Sequence, residues 1–371
     1  VRRLAGLALV LVLLLALGAP SGAATGERPR SGKASVKRTP PPLRFGIYPG
    51  GGVGTVDAAP TRTSPDELPL LDELRRLRGD RAFVLHLYTE IDGTDAFDGH
   101  LEWAEGEIAR YAAEGFLVEL VLRHKPVATT PREAVAGYVA GVRKAVQRLG
   151  GQPGLIGLQI TNEANVTGAP DAADGAFPGA RQALVQGLLA ADQERRRLGL
   201  RGLGLGFNAA EGGGAPGFWS DLRKLGGKRF ARAVDWVGID VYPGTWSAPS
   251  QPSYGAVRKE VVRSLGRLRS KSLPAAGLGR RVALHVSENG YPTGPGRSEA
   301  AQVDVLRASV AAIDANRGRY GVTDYRWFDL RDADSSSREM EHQYGVLRSD
   351  GTPKAAFDVL RGLVARLGAA A

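Results

Sequence analysis

The chain has 371 residues, 43% of them hydrophobic and 24% charged, with no cysteine and a formal net charge of +10. That is enough length for one large barrel or two ordinary domains, and enough apolar content for a sizeable core; the missing cysteines exclude disulfides and thiolate chemistry. The charge is uneven, with +4 in residues 25–42 and +4 in 43–371 once Arg2 and Arg3 are set aside, and no basic-aromatic motif accompanies it, so nucleic acid is not an expected partner.

At the N-terminus, Arg2 and Arg3 precede an apolar run from Leu4 to Leu17, and the small residues Gly22-Ala23-Ala24 follow. The run is short for a bilayer span, and the pattern reads as a secretory signal peptide over 1–24. An uncleaved anchor is the alternative. The expected location is therefore extracellular, with no stable membrane insertion after cleavage. Residues 25–42 carry Arg28, Arg30, Lys33, Lys37 and Arg38 and end in Pro40-Pro41-Pro42, the composition of a disordered basic linker. The remaining 43–371 read as one catalytic domain, expected to be monomeric.

From residue 43 onward, apolar runs alternate with amphipathic helical patterns. A first strand over 43–48 leads into Gly50-Gly51-Gly52-Val53-Gly54. Ser64-Pro65-Asp66-Glu67 then offers a helix cap, a proline at the first helical position and an acidic first turn, and Leu68, Leu71 and Leu74 continue at helical spacing. The second strand covers 82–88 and its helix lies near 98–114. The third covers 116–122 and ends at Arg123 and His124; Thr130-Pro131-Arg132-Glu133 opens its helix as a capping box.

The fourth strand rises from Gly154 and ends at Thr161-Asn162-Glu163-Ala164-Asn165, with a helix near 178–199 after it. The fifth, 202–207, ends at Asn208 and precedes a helix in 217–231. The sixth, 236–241, ends at Tyr242 and precedes a helix near 253–270. The seventh runs through Val282-Ala283-Leu284-His285-Val286-Ser287 into Glu288-Asn289-Gly290, and Ser298-Glu299 starts its helix. The eighth covers 324–329, with a last helix from Thr352-Pro353. Eight strand-helix units imply a parallel sheet, and at this length they favour a single-domain (β/α)8 TIM barrel over an open doubly wound sheet. Active sites of such barrels lie at the C-terminal strand ends.

Two strands end in a glutamate. Glu163 closes the fourth and Glu288 the seventh, so a barrel sets them across one mouth. Paired carboxyls are what glycoside hydrolysis needs, one protonated to serve the leaving oxygen and one ionised to attack or to activate water. His124, Asn208, Trp246 and Tyr88 sit at other strand tips and are candidates for substrate contact. His285, mid-strand, reads as a buried structural histidine. Other chemistries find no footing: Gly50–Thr55 lacks the Lys-Ser/Thr of a phosphate loop, the glycines of 204–209 lie within a strand rather than after it, and neither a metal-ligand cluster nor a Gly-x-Ser-x-Gly elbow occurs. Asn165-Val166-Thr167 is a glycosylation sequon by letter, but it abuts the candidate site. No cofactor or metal is expected.

Asn162-Glu163 on the fourth strand with Glu288 on the seventh resembles clan A of the retaining glycoside hydrolases, which includes the family 5 and family 53 enzymes. The resemblance implies that Glu163 is the acid/base and Glu288 the nucleophile. It implies that Asn162 binds a sugar 2-hydroxyl, that Tyr242 hydrogen-bonds the nucleophile and that Trp327 floors the −1 sugar subsite. Residues 343–354, from Gln343-Tyr344-Gly345 to Pro353-Lys354, resemble a closing segment of these barrels. The chain departs from the pattern at Ala164, where many members have proline, and on strand two, where His86 stands and the family 5 arginine is missing; Arg123 is the available substitute. The implied activity is hydrolysis of β-glycosidic bonds in a poly- or oligosaccharide. A non-catalytic carbohydrate-binding barrel and a transglycosidase using the same residues are the alternatives.

Overall fold

The computed structural model describes residues 40–50, 70–211, 214–246 and 251–371. The signal-peptide and linker readings over 1–39, and the helix start at Ser64-Pro65, lie outside the described residues.

Eight parallel strands close on themselves in sequential order. They are β1 (Arg44–Ile47), β2 (Phe83–Ile91), β3 (Leu117–His124), β4 (Leu155–Ile160), β5 (Gly204–Ala210), β6 (Trp236–Asp240), β7 (Ala283–Asn289) and β8 (Val322–Trp327). The main helices outside them are α1 (Leu70–Arg78), α2 (Phe97–Ala113), α3 (Pro131–Leu149), α4 (Ala180–Arg197), α5 (Phe218–Ala233), α6 (Tyr254–Arg267), α7 (Glu299–Tyr320) and α8 (Ala355–Leu367). This is the single (β/α)8 barrel expected from the alternation. Local signals set several boundaries. Thr130 caps α3 through its side chain, with Pro131 at the first helical position, and Ser298 caps α7 in the same way. Gly227, at φ 54°, kinks α5, and α6 runs on through a π turn over Leu268–Ser272. Among the described residues no helix is long and apolar enough to cross a membrane.

The apolar core lies between strands and helices, where Leu85, Leu120, Leu158, Phe207, Leu284 and Tyr325 are fully enclosed. The glycines of β5 serve packing: a Cβ on Gly206 would lie 2.1 Å from the Trp236 indole. That close approach explains why a glycine run sits inside a strand rather than in a nucleotide-binding turn.

Inside the barrel the floor is polar. Glu119 of β3 meets His86 Nδ1 of β2 at 3.0 Å and lies 3.3 Å from His285 Nδ1 of β7. His285 Nε2 lies 3.2 Å from Asp324 of β8, which also takes Arg326 at 2.8 Å and Arg44 at 3.0 Å. Trp236 stacks on the His285 ring at 4.3 Å. Two carboxylates thus face two guanidinium groups and two imidazoles. Burial opposes ionisation of Glu119, but Arg326, His285 and His86 outweigh it and hold Glu119 well below the usual carboxylate range. Asp324 is held at about 2, against burial, by His285, Arg326 and Arg44. His285 is the buried structural histidine that its mid-strand position indicated.

Candidate active site

Above this floor the strand tips bring three carboxylates together. One oxygen from each of Glu163, Asp240 and Glu288 lies within 4.8 Å of the others. They come from the ends of β4, β6 and β7, the C-terminal face of the barrel.

Glu163 is set by a strained turn. Immediately after β4, Thr161 has φ 64° and Glu163 has φ 45°, a left-handed conformation that is a real outlier for a β-branched threonine and costs about 1–3 kcal/mol per residue. Three hydrogen bonds pin it. Thr161 N–H donates to Tyr138 Oη of α3 at 2.9 Å, Asn162 N–H to Asp174 Oδ2 at 2.7 Å, and Glu163 N–H to Asn208 Oδ1 at 2.8 Å. Asp174 is itself fixed by the His124 N–H at 2.6 Å and by Arg123 Nε at 3.0 Å. The surrounding structure thus over-determines the backbone that aims Glu163 into the mouth.

Glu288 is held by phenols. Tyr88 Oη donates to Oε1 at 2.7 Å and Tyr242 Oη to Oε2 at 2.6 Å. Burial, and next the Glu288 charge, push both phenols well above their ordinary range, so at neutral pH they remain O–H donors. Tyr242 and Tyr88 are thus two donors to the same carboxylate.

Asp240 went unassigned in the sequence. Its Oδ2 accepts from Asn208 Nδ2 at 2.6 Å and its Oδ1 from Ser287 Oγ at 2.8 Å. One of its oxygens lies within 4.8 Å of the Glu163 carboxyl. Room for this arrangement comes from Gly238, where a Cβ would lie 2.0 Å from Ser287 Oγ. Burial, then the neighbouring Glu288 charge, push Glu163 up to about 8. Asp240 is raised well above the usual range by burial, then by Glu288 and Glu163. Three carboxylates in a small enclosed space cannot all be ionised at neutral pH.

The oxygens are already engaged in ways that suit protons better than a metal ion. Both oxygens of Glu288 accept from phenols and both of Asp240 accept from Asn208 and Ser287. A cation would have to compete with these donors for the oxygens. An arrangement of this kind, one carboxyl with a raised pKa beside another held by O–H donors, suits proton transfer.

The other predicted site residues divide. Asn162 is 5% exposed; its Oδ1 accepts from Asn208, and its Nδ2 donates to Ala172 O. Asn208 ties Asn162, Glu163 and Asp240 together and acts as a brace. His124 is enclosed against Tyr138 and Phe177 with Nε2 3.0 Å from Pro178 O, so it belongs to the wall. Burial lowers its pKa. Trp246 is 66% exposed on the loop after β6.

Trp327 is fully buried and shares a face with Tyr325, opposite Asp324 and Arg326. The ring from the end of β8 packed on Tyr242 is that of the next residue, Phe328, at 6.5 Å, and Tyr344 meets Tyr242 at 5.7 Å; Phe328 also stacks on Tyr48 at 5.2 Å and meets Tyr344 at 5.7 Å. The peptide after it, Phe328-Asp329, is cis. Arg123 stands with Asp174, and its charge bears on Glu163. The sequon residue Asn165 is 3% exposed and its amide is spent on the backbone of Ala210.

No family model matches the chain, and no curated protein matches it either. Solved structures do. GH5_18 from Streptomyces cattleya, in complex with Manb1-4GlcNAc, superposes with a TM-score of 0.62 at 17% identity, covering 87% of this chain and 80% of that one. The β-glucuronidase from Ruminococcus gnavus gives 0.56 at 16% identity over 87% of this chain, and the β-D-glucuronidase of Dictyoglomus thermophilum 0.55 at 14% over 90%. This chain spans about half the length of the two glucuronidases. At these identities the likeness establishes the fold: a closed (β/α)8 barrel of the kind on which these glycoside hydrolases are built.

Proposed function

We propose that this chain hydrolyses β-glycosidic bonds with retention of anomeric configuration, in an oligo- or polysaccharide. The observation that carries the reading is the approach of Glu163 and Glu288 within 4.8 Å. Retaining enzymes hold their carboxyls about 5–5.5 Å apart, whereas inverting ones leave about 6.5–9.5 Å for a water between them. The β configuration is supported by the resemblance to clan A and by the β-linked ligand and β-glucuronidase activity named for the structural neighbours.

In the first half-reaction a Glu288 oxygen attacks the anomeric carbon while Glu163 gives its proton to the departing glycosidic oxygen. A covalent glycosyl-enzyme and a free alcohol result. In the second, water attacks the same carbon, Glu163 takes its proton and Glu288 leaves as carboxylate. Elevation of Glu163 to about 8 keeps it protonated at neutral pH for the first step. Tyr88 and Tyr242 orient Glu288 and receive its charge again in the second. We also propose that the protein acts outside the cell, on the pattern of residues 1–24; fractionation of cultures tests this.

The reading is tested with Glu288→Ala. Hydrolysis of an activated aryl β-glycoside should fall by about 10⁴-fold or more, the scale of losing a residue in covalent catalysis. Added azide should restore turnover by entering the vacated space, giving an α-glycosyl azide. A variant as active as the wild type would end the assignment of Glu288.

A further inference from the structure

A retaining mechanism uses two carboxyls, and this mouth holds three. Asp240 is only 2% exposed, against 8% for Glu288 and the more open Glu163. It is the most enclosed of the three, yet one of its oxygens lies within 4.8 Å of the Glu163 carboxyl. The chain has also built a holder for it. Asn208 Nδ2 and Ser287 Oγ each donate to a different oxygen, at 2.6 and 2.8 Å, and Asn208 simultaneously accepts the Glu163 N–H. One amide thus locks the acid/base backbone and the third carboxylate into a single unit.

We propose that Asp240 is a positioning residue for the acid/base, sharing one proton with Glu163 so that Glu163 is the protonated member when substrate arrives and a stronger base when water attacks. The inference rests on the glycosidase reading of Glu163. Its direction follows from the donors. Asp240 already accepts two hydrogen bonds, which favour its ionised form, while the Glu163 carboxyl lies within 4.8 Å of it and accepts none from a donor group among the described residues. In such a pair the shared proton resides on the group with fewer donors, and the second proton is held more tightly because removing it leaves two like charges together. The other charged groups that face the pair are Glu288 from β7, which adds to the repulsion, Arg123 from β3, which opposes it, and Asp174 from the loop after β4. The nearby phenols of Tyr88 and Tyr242 are directed at Glu288. Sharing a proton needs no further reactant; the proton delivered to the leaving group in the first step returns to Glu163 from water in the second.

Asp240→Asn tests the idea with little change of shape. The amide oxygen accepts from Asn208, and its NH2 faces Ser287, whose hydroxyl can turn to accept. With the like charge removed, the basic limb of kcat/KM for a 4-nitrophenyl β-glycoside should move to lower pH by about one unit. The kcat/KM of a dinitrophenyl glycoside, whose leaving group needs no proton, should change by less than about threefold, while its kcat, where water attack limits it, should fall. Loss on both substrates alike with an unmoved limb would mean a merely structural role and overturn the proposal. In the free protein, carbon-13 titration of the Glu163 carboxyl should show two steps in the wild type and one in Asp240→Asn. A single step at the same pH in both proteins overturns the proposal, even for an inactive variant. If the wild type cleaves no glycoside yet titrates in two steps that collapse to one in the variant, the shared proton stands and the glycosidase reading falls. If the wild type is active and the variant's limb and titration are unchanged, only the role of Asp240 falls.

Discussion

The floor and the mouth of this barrel are both built on carboxylates withdrawn from solvent, the floor the more completely, but they behave oppositely. On the floor, Glu119 and Asp324 are surrounded by Arg44, Arg326, His86 and His285, and their pKa values are driven down. At the mouth, Glu163 and Asp240 face each other and Glu288, and theirs are driven up. Burial works in the same direction in both places, so the sign of the partners decides the outcome. A floor of paired charges stabilises the fold only while it is complete. A mouth of like charges stores electrostatic strain, which is how a protein keeps one carboxyl protonated at neutral pH.

Breaking the floor should have the larger effect on stability. Glu119→Ala removes the carboxylate shared by His86, His285 and Arg326 and leaves Arg326 partly uncompensated inside the barrel. A loss of about 3–5 kcal/mol is expected, as for other buried pairs stripped of one partner, read as a lower midpoint in urea. A loss below 1 kcal/mol would mean that the network contributes little, and the contrast with the mouth would collapse.

Relieving the mouth should have the opposite sign and a smaller size. Glu163 has a folded pKa of about 8, above its value in the unfolded chain. The folded state therefore binds this proton more tightly, and stability is fully present below the unfolded pKa of about 4.5 and lost as pH rises through 8. Glu163→Gln removes that penalty. At pH 8 the variant should be more stable than the wild type by about 2 kcal/mol, a Tm rise of about 4 °C. At pH 4 the two should coincide. A difference independent of pH would show that packing, not the carboxyl's charge, sets the effect.

How much of this was legible in the sequence follows the same division. Strand periodicity and the polar ends of β4 and β7 exposed Glu163, Glu288 and the barrel, because an apolar run that stops at a carboxyl is a local signal. Asp240 ends β6 in just the same way. Its role depends on Asn208 and Ser287, which only the β5-β6-β7 register brings together. The floor did leave a trace: His86, Glu119, Asp324 and Arg326 are charged or titratable positions inside otherwise apolar runs, and their common face becomes visible once the barrel closes. Trp327 illustrates the limit. A displacement by one residue exchanges the two faces of a strand, and with register shifts between β7 and β8 the sequence could not say that Phe328, rather than Trp327, would pack against Tyr242.

One residue touches both regions, and changing it gives the smallest and most discriminating effect. The Tyr88 ring meets His86 of the floor edge-on at 5.0 Å, and its hydroxyl donates to Glu288 of the mouth. Tyr88→Phe keeps the ring and deletes only the donor. If the two regions are separate electrostatic systems, stability should stay within about 0.5 kcal/mol. The kcat for an aryl β-glycoside should drop by about threefold to tenfold, the value of one hydrogen bond. Tyr242→Phe removes the equivalent donor to the other oxygen. Because both phenols serve one carboxylate, the double variant should lose more than the two single losses combined, since Glu288 then has neither donor left to orient it. Strictly additive losses would mean that each phenol acts on substrate rather than through Glu288. A large fall in stability from Tyr88→Phe alone would mean that floor and mouth form one network, joined through this side chain.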